Sequence, residues 1–157
     1  MIKIFDDETF LEFLLKAKKS TYAAQGDRAT VSPLLPGSKQ LEYSEGNFFY
    51  RDIYFGFTKF VGQETIYLES LPVWSMCYAG GIISDEIKPL DVFIFLQSAL
   101  KQMDSAMPYR GPKLLENIPF SYSNTVFGDI NRFHGAEKIV HNGSDVYELH
   151  YAGGIFG

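Results

Sequence analysis

Residues 60–83 and 133–156 align at a constant offset of 73 without a gap, and ten of the 24 aligned pairs are identical. Unrelated segments of that length would share about one or two, so an internal duplication is expected. The identities are Phe60/Phe133, Gly62/Gly135, Glu64/Glu137, Ile66/Ile139, Val73/Val146, Tyr78/Tyr151 and the run Ala79-Gly80-Gly81-Ile82 over Ala152-Gly153-Gly154-Ile155. A one-residue shift extends the match upstream, placing Phe55-Gly56 over Phe127-Gly128. A unit of this size cannot bury an apolar face alone, so two of them have to associate.

Each copy is preceded by a helical pattern. The first starts near Asp6 or Asp7 and carries Phe10, Phe13, Leu14 and Ala17 on one face before fading at Lys18-Lys19-Ser20. The second opens at Pro89, suited to a first helical turn, and carries Val92, Phe95, Leu96, Ala99 and Met103 until Met107-Pro108 stops it. The rest reads as strands, at 41–43, 48–55, 60–68 and 73–79, then 120–127, 132–141 and 146–152. The expectation is one α+β domain over 1–157, with repeat one at 6–83 and repeat two at 88–157. The two helix-plus-antiparallel-meander units form a pseudo-two-fold sheet or barrel-like layer under two covering helices. The Gly-Gly pairs mark either a close backbone approach or a bulge at the end of the last strand, or else a chain reversal. Residues 21–39 have no counterpart of equal length in the second unit, and so long a stretch without period predicts a mobile loop or a lid.

Composition narrows the function classes. Acidic residues outnumber basic ones 19 to 14 and no basic block exceeds Lys18-Lys19, which argues against direct nucleic-acid binding. The longest purely apolar run, Val92 to Leu96, is far too short to span a bilayer, and the start of the chain turns acidic before a signal sequence could form. One cysteine, Cys77, leaves no internal disulfide, and the plain expectation is a cytoplasmic protein. Phe, Tyr and Trp make up 16% of residues, so the interior has to be built from rings whose hydroxyls need partners.

Glu64 and Glu137 are the most informative candidates. Period-two alternation puts each on the face that carries Phe60 and Ile66, or Phe133 and Ile139, beside a glycine. A carboxylate on an apolar face is costly unless it is paired or hydrogen-bonded. Burial would suit it to acid–base work or to holding a cationic ligand, or it ties the sheet together through a tyrosine, an arginine or a backbone amide. Tyr50, Asp52 and Tyr54 share one strand face, with Tyr122 and Asn124 matching the first two, and Trp74, Met76 and Tyr78 share another, matched by Tyr147, Leu149 and Tyr151. Such rows build a core or line a pocket for a flat or cationic molecule. His134, His141 and His150 occur only in the second copy, and no spacing supports a metal site or a cofactor motif.

The segments from Phe13 to Ala23, Leu41-Glu42-Tyr43, Gly62-Gln63-Glu64, Pro72-Val73-Trp74-Ser75-Met76 and Met107-Pro108-Tyr109-Arg110-Gly111-Pro112 resemble a bacterial domain-of-unknown-function family over nearly the whole chain. That family is found alone or behind helix-turn-helix regulators of the xenobiotic-response type, which implies a sensor module. Leu35-Pro36-Gly37-Ser38 departs from the family's common Arg-Pro pair, whereas Arg110 matches its pattern, where it can clamp an anion or pair with a carboxylate. The leading expectation is a small-molecule-binding, sensor-like domain whose ligand meets Glu64, Tyr50, Trp74 and Tyr78, with Glu137 and Arg110 as further candidates. A small enzyme using Glu64 or Glu137 for acid–base chemistry and a structural or oligomerisation module remain open alternatives. No cofactor and no metal are expected, and homo-oligomerisation stays open.

Overall fold

The computed structural model describes residues 7–26 and 30–156. Asp6, one of the two expected helix starts, and positions 27–29 of the 21–39 segment lie outside the described residues. Helix α1 spans Asp7–Ser20, with Asp7 and Glu8 in its first turn and Lys18 and Lys19 in its last, a distribution that complements the helix dipole. Its Phe10, Phe13, Leu14 and Ala17 are buried, and so is Lys18. A short helix α2, Tyr22–Gln25, follows within the segment expected to be a loop. Helix α3, Pro89–Leu100, begins at the expected proline and ends earlier than its apolar stripe suggests. The Asp104 carboxylate accepts the amides of Ala106 and Met107 in a local turn, while Met103 still reaches the core.

Eight strands make one antiparallel sheet: β1 Lys39–Glu45, β2 Phe48–Gly56, β3 Lys59–Leu68, β4 Leu71–Ile82, β5 Leu114–Asn117, β6 Phe120–Asp129, β7 Arg132–His141 and β8 Ser144–Ile155. Their order is β1-β2-β3-β4-β8-β7-β6-β5, two meanders joined at β4 and β8. At that seam Tyr78 faces Tyr151, Trp74 faces Ile155 and Ile82 faces Tyr147, so positions 73 residues apart exchange places across it. The edges, β1 and β5, are far apart in this order, and the sheet is open; the barrel-like closure considered from sequence does not form. The four-residue β5 pairs with β6 on one side only and ends the sheet there.

Helices α1 and α3 pack on the same face. Phe10 meets Trp74 at 6.3 Å and Phe13 stacks on Phe48 at 5.0 Å, while Phe95 stacks on Phe120 at 4.9 Å and Phe93 meets Phe60 at 6.3 Å. The opposite face leaves Phe55, Val61 and Phe127 exposed. Among the described residues no helix is long and apolar enough to cross a membrane. The glycine pairs lie inside β4 and β8, not at reversals. A Cβ on Gly80 would come within 2.2 Å of the Glu148 carbonyl, and one on Gly153 within 2.2 Å of the Ser75 carbonyl, so both let the strands of the seam approach closely.

Segment 21–39 divides into two parts. Thr21 and Ala23 are buried, and the Thr21 hydroxyl donates to the Ala17 carbonyl at 2.8 Å, whereas 30–37 are exposed throughout. Amide hydrogen exchange is expected to be fast over most of 30–37, slower at Val31 and Leu34, whose amides have acceptors on Gln40, and slow in α2. Strand-like protection across the whole of 30–37 would contradict a mobile loop.

Candidate functional site

In the first half, the inward faces of β2, β3 and β4 present Tyr50 and Asp52, Gly62 and Glu64, and Trp74 and Tyr78. Asp52 pairs across the ladder with Glu64, and Gly62 with Tyr78. Gly62 matters because a Cβ there would sit 2.3 Å from the Tyr78 hydroxyl oxygen. Without a side chain at 62 the Tyr78 ring lies across β3, and its hydroxyl donates to Asp52 Oδ1 on β2 at 2.6 Å. From α1, the Lys18 ammonium comes 2.6 Å from Glu64 Oε2 and donates to the Tyr109 carbonyl at 2.5 Å. Lys18, Asp52 and Glu64 are all buried.

Burial dominates the electrostatics. Desolvation and the neighbouring Glu64 push the Asp52 carboxyl up to about 8, against the opposing influence of the Tyr78 hydrogen bond, Lys18 and Arg110. Desolvation holds Lys18 below the usual lysine range although Glu64 favours its charge. Burial also pushes the Tyr50 and Tyr78 hydroxyls well above the usual tyrosine range.

The Asp52 shift makes stability depend on pH. Folded protein keeps this proton up to about pH 8, whereas an unfolded aspartate releases it near pH ~4. Between those values the unfolded state binds fewer protons, so this group's contribution is complete below about pH 4 and is lost as pH rises towards 8. Asp52→Asn is therefore expected to flatten the profile and to gain on wild type as pH rises, as urea unfolding between about pH 5 and pH 9 would report. A difference between the two proteins that is constant over this range would contradict the assignment.

The second half contains the corresponding groups in a closed arrangement. Glu137 is fully buried. Its Oε1 accepts from Arg110 Nη2 at 2.6 Å, Arg110 Nε at 3.1 Å and the Tyr147 hydroxyl at 2.7 Å, and its Oε2 accepts from the Tyr122 hydroxyl at 2.6 Å. Gly135 admits the Tyr151 ring as Gly62 admits Tyr78, and the Tyr151 hydroxyl donates to Asn124 Oδ1 at 2.8 Å. The Gly111 amide donates to Tyr122 and its carbonyl accepts from Asn124. Tyr109-Arg110-Gly111 thus bonds to both halves, through Lys18 on one side and Glu137 on the other.

A cavity of about 70 Å³ lies between the helices and the first half of the sheet. Lys18, Tyr50, Asp52, Glu64, Tyr78 and Arg110 all line it. Of the six residues singled out from sequence, Glu64, Tyr50, Tyr78 and Arg110 come together there. Trp74 and Glu137 do not. Trp74 is core, stacked on Phe133 at 6.0 Å with Lys18 Nζ 5.7 Å from its ring centre, and its indole N–H has no hydrogen-bond partner among the described residues. Glu137 sits behind its own donors. Lys18 and Asp52 were not singled out as site residues, although Lys18 lies four residues beyond Leu14 on the buried stripe and Asp52 between two inward tyrosines. No three His, Cys, Asp or Glu side chains are gathered for a metal ion among the described residues.

No curated protein and no solved structure matches this chain. A family model does match, over residues 52–156, or two-thirds of the chain. The matched region takes in Asp52, Glu64, Tyr78, Arg110 and Glu137 but neither Lys18 nor Tyr50. The chain thereby belongs to the family described as domain of unknown function DUF5680.

Proposed function

We propose that this protein is a small-molecule-binding, sensor-like domain whose ligand occupies the cavity beside Glu64, Tyr50 and Tyr78. The observation that carries the proposal is the difference between the two halves. Around Glu137, an arginine and two tyrosines fill the carboxylate's hydrogen-bonding capacity, whereas Lys18, Asp52 and Glu64 border open space. We take the halves as copies of one ancestral unit, a view supported by the 73-residue exchange of positions across the β4–β8 seam; one copy keeps a pocket while the other is a structural tie. About 70 Å³ holds a group of a few heavy atoms, well below the ~300–1,000 Å³ of sites for drug-sized ligands. A larger molecule requires movement of Thr21, Tyr22 and Ala23, which also line the cavity and place α2 as its cover. Acid–base catalysis is a second proposal, favoured by Asp52, whose carboxyl is held at about 8 inside the cavity.

Thermal unfolding against a broad metabolite panel, with native mass spectrometry of the purified protein, tests binding. A ligand is expected to raise the midpoint of wild type and of Glu137→Gln but not of Glu64→Gln or of Leu100→Phe, which narrows the cavity. Glu137→Gln is expected to cost about 3–5 kcal/mol of stability, because it leaves the buried Arg110 guanidinium without its paired carboxylate. Ligand response lost in Glu137→Gln and retained in Glu64→Gln would reverse the roles. Consumption of the bound compound would favour catalysis over sensing.

A further inference from the structure

We infer that the ligand of this cavity is a small organic cation that binds in exchange for the proton on Asp52. The inference rests on the cavity being the binding site. Five ionisable side chains form one buried group: Lys18 and Arg110 against Asp52, Glu64 and Glu137, each more than nine-tenths buried. Lys18 is paired with Glu64 and Arg110 with Glu137, at 2.6 Å in both cases. Among the described residues, three carboxyls therefore share two buried cations, and Asp52 has no cation of its own. Fully ionised, the group would carry one net negative charge away from water, a state that protonation of Asp52 or arrival of a cation relieves.

The second half shows what the position needs for folding alone. Asn124 stands where the first half has Asp52, and it receives the Tyr151 hydroxyl as Asp52 receives that of Tyr78. An amide performs the structural task without an ionisable group, so the carboxyl at 52 is surplus to the fold and lies beside the cavity. Aromatic walls suit the same ligand. Tyr54, Phe57, Phe60 and Tyr78 line the space, and ring faces attract ammonium and guanidinium groups.

Towards Asp52 and the cavity, β2 contributes Tyr50 and Tyr54, β3 Glu64, β4 Tyr78, α1 Lys18, α2 Tyr22 and the segment after α3 Arg110, while α3 itself contributes only apolar side chains. Among the described residues, the remaining cation lining the cavity is Lys39 of β1, whose Nζ sits 5.7 Å from the Tyr54 ring centre and 5.6 Å from that of Phe57. Lys39 is half-exposed, and solvent screens its charge far more than it screens the buried carboxyls. An anion would face Glu64 and an aspartate that must then stay protonated, and Lys18 is already ion-paired with Glu64 and donates to the Tyr109 carbonyl.

Benzylammonium, benzyl alcohol and benzoate share a ring and differ in charge, which makes them suitable probes for calorimetric titration of the full chain. Benzylammonium is expected to bind at least tenfold more tightly than the other two. Titrations in phosphate and in Tris near pH 7 should show about one proton released per ligand, and affinity should rise about tenfold per pH unit before levelling off above pH ~8. Asp52→Asn, which the Asn124 geometry indicates will fold, is expected to lose the proton release and the pH slope and to weaken binding at least tenfold. Preference for benzoate or benzyl alcohol, binding without proton release, or an unaffected Asp52→Asn variant overturns the inference. The three probes exceed the closed cavity and enter only with movement of α2, so silence of all three overturns the inference when ethylammonium, small enough to enter without that movement, is silent as well. If the broad panel still yields a ligand that Leu100→Phe excludes, the cavity stands as the site and only its cation specificity falls; if no panel compound responds to Leu100→Phe, the binding proposal itself fails.

Discussion

Replacing Arg110 with methionine is expected to lower the unfolding free energy by about 3–5 kcal/mol at neutral pH, the range found when one member of a buried ion pair is removed. Glu137 is fully buried, and the guanidinium supplies two of its hydrogen bonds and all of its paired positive charge. Tyr122 and Tyr147 would still donate, but hydroxyl dipoles do not replace a full charge in so dry a place. Methionine preserves much of the stem's packing, so the loss reports the charge rather than a cavity. Arg110→Lys should recover part of the loss, since an ammonium restores the charge without the two-nitrogen contact. Urea unfolding of the three proteins at neutral pH decides the matter. A loss below about 1 kcal/mol would mean that the pair is exchanged for equivalent solvation and does not hold the second half closed.

The contrast between Glu64 and Glu137 explains how much the chain disclosed in advance. Period-two alternation placed both carboxylates on the inward face, and the paired glycines beside them made room for the tyrosines of the neighbouring strand. Those are local consequences of strand geometry, legible from spacing. Which cation each carboxylate meets is not local. Lys18 reaches Glu64 across 46 positions and Arg110 reaches Glu137 across 27, distances in sequence that no periodicity encodes. Lys18 lies where the helical pattern of α1 fades, yet its place four residues beyond Leu14 on the buried stripe already pointed inward. Strand β5 was missed because Leu114 and Leu115 are a short apolar pair without alternation; only pairing with β6 makes them a strand. Trp74, the obvious ring for a ligand, went to the core, where Phe10 and Phe133 cover it.

Gly80→Ala and Gly153→Ala are expected to be among the most damaging single-methyl additions in the protein, each exceeding the ~1–3 kcal/mol usual for overpacking. At Gly80 the new Cβ would lie 2.2 Å from the Glu148 carbonyl oxygen and 2.5 Å from the Leu149 Cα; at Gly153 it would lie 2.2 Å from the Ser75 carbonyl oxygen and 2.8 Å from the Met76 Cα. All four neighbours are backbone atoms of the strand across the seam, so no rotamer change can yield. Relief requires β4 and β8 to separate, which would weaken the one strand pair that joins the two meanders. Gly143→Ala separates this effect from glycine's conformational freedom. Its φ is +80° with nothing within 4 Å of an added Cβ, so only the ~1–2 kcal/mol cost of a left-handed alanine applies. The seam variants should therefore lose at least twice as much stability as Gly143→Ala, and their denaturant transitions should broaden or split as the halves cease to unfold together. Equal losses for all three would mean that β4 and β8 tolerate separation, and that the helices rather than the seam hold the halves in one cooperative unit.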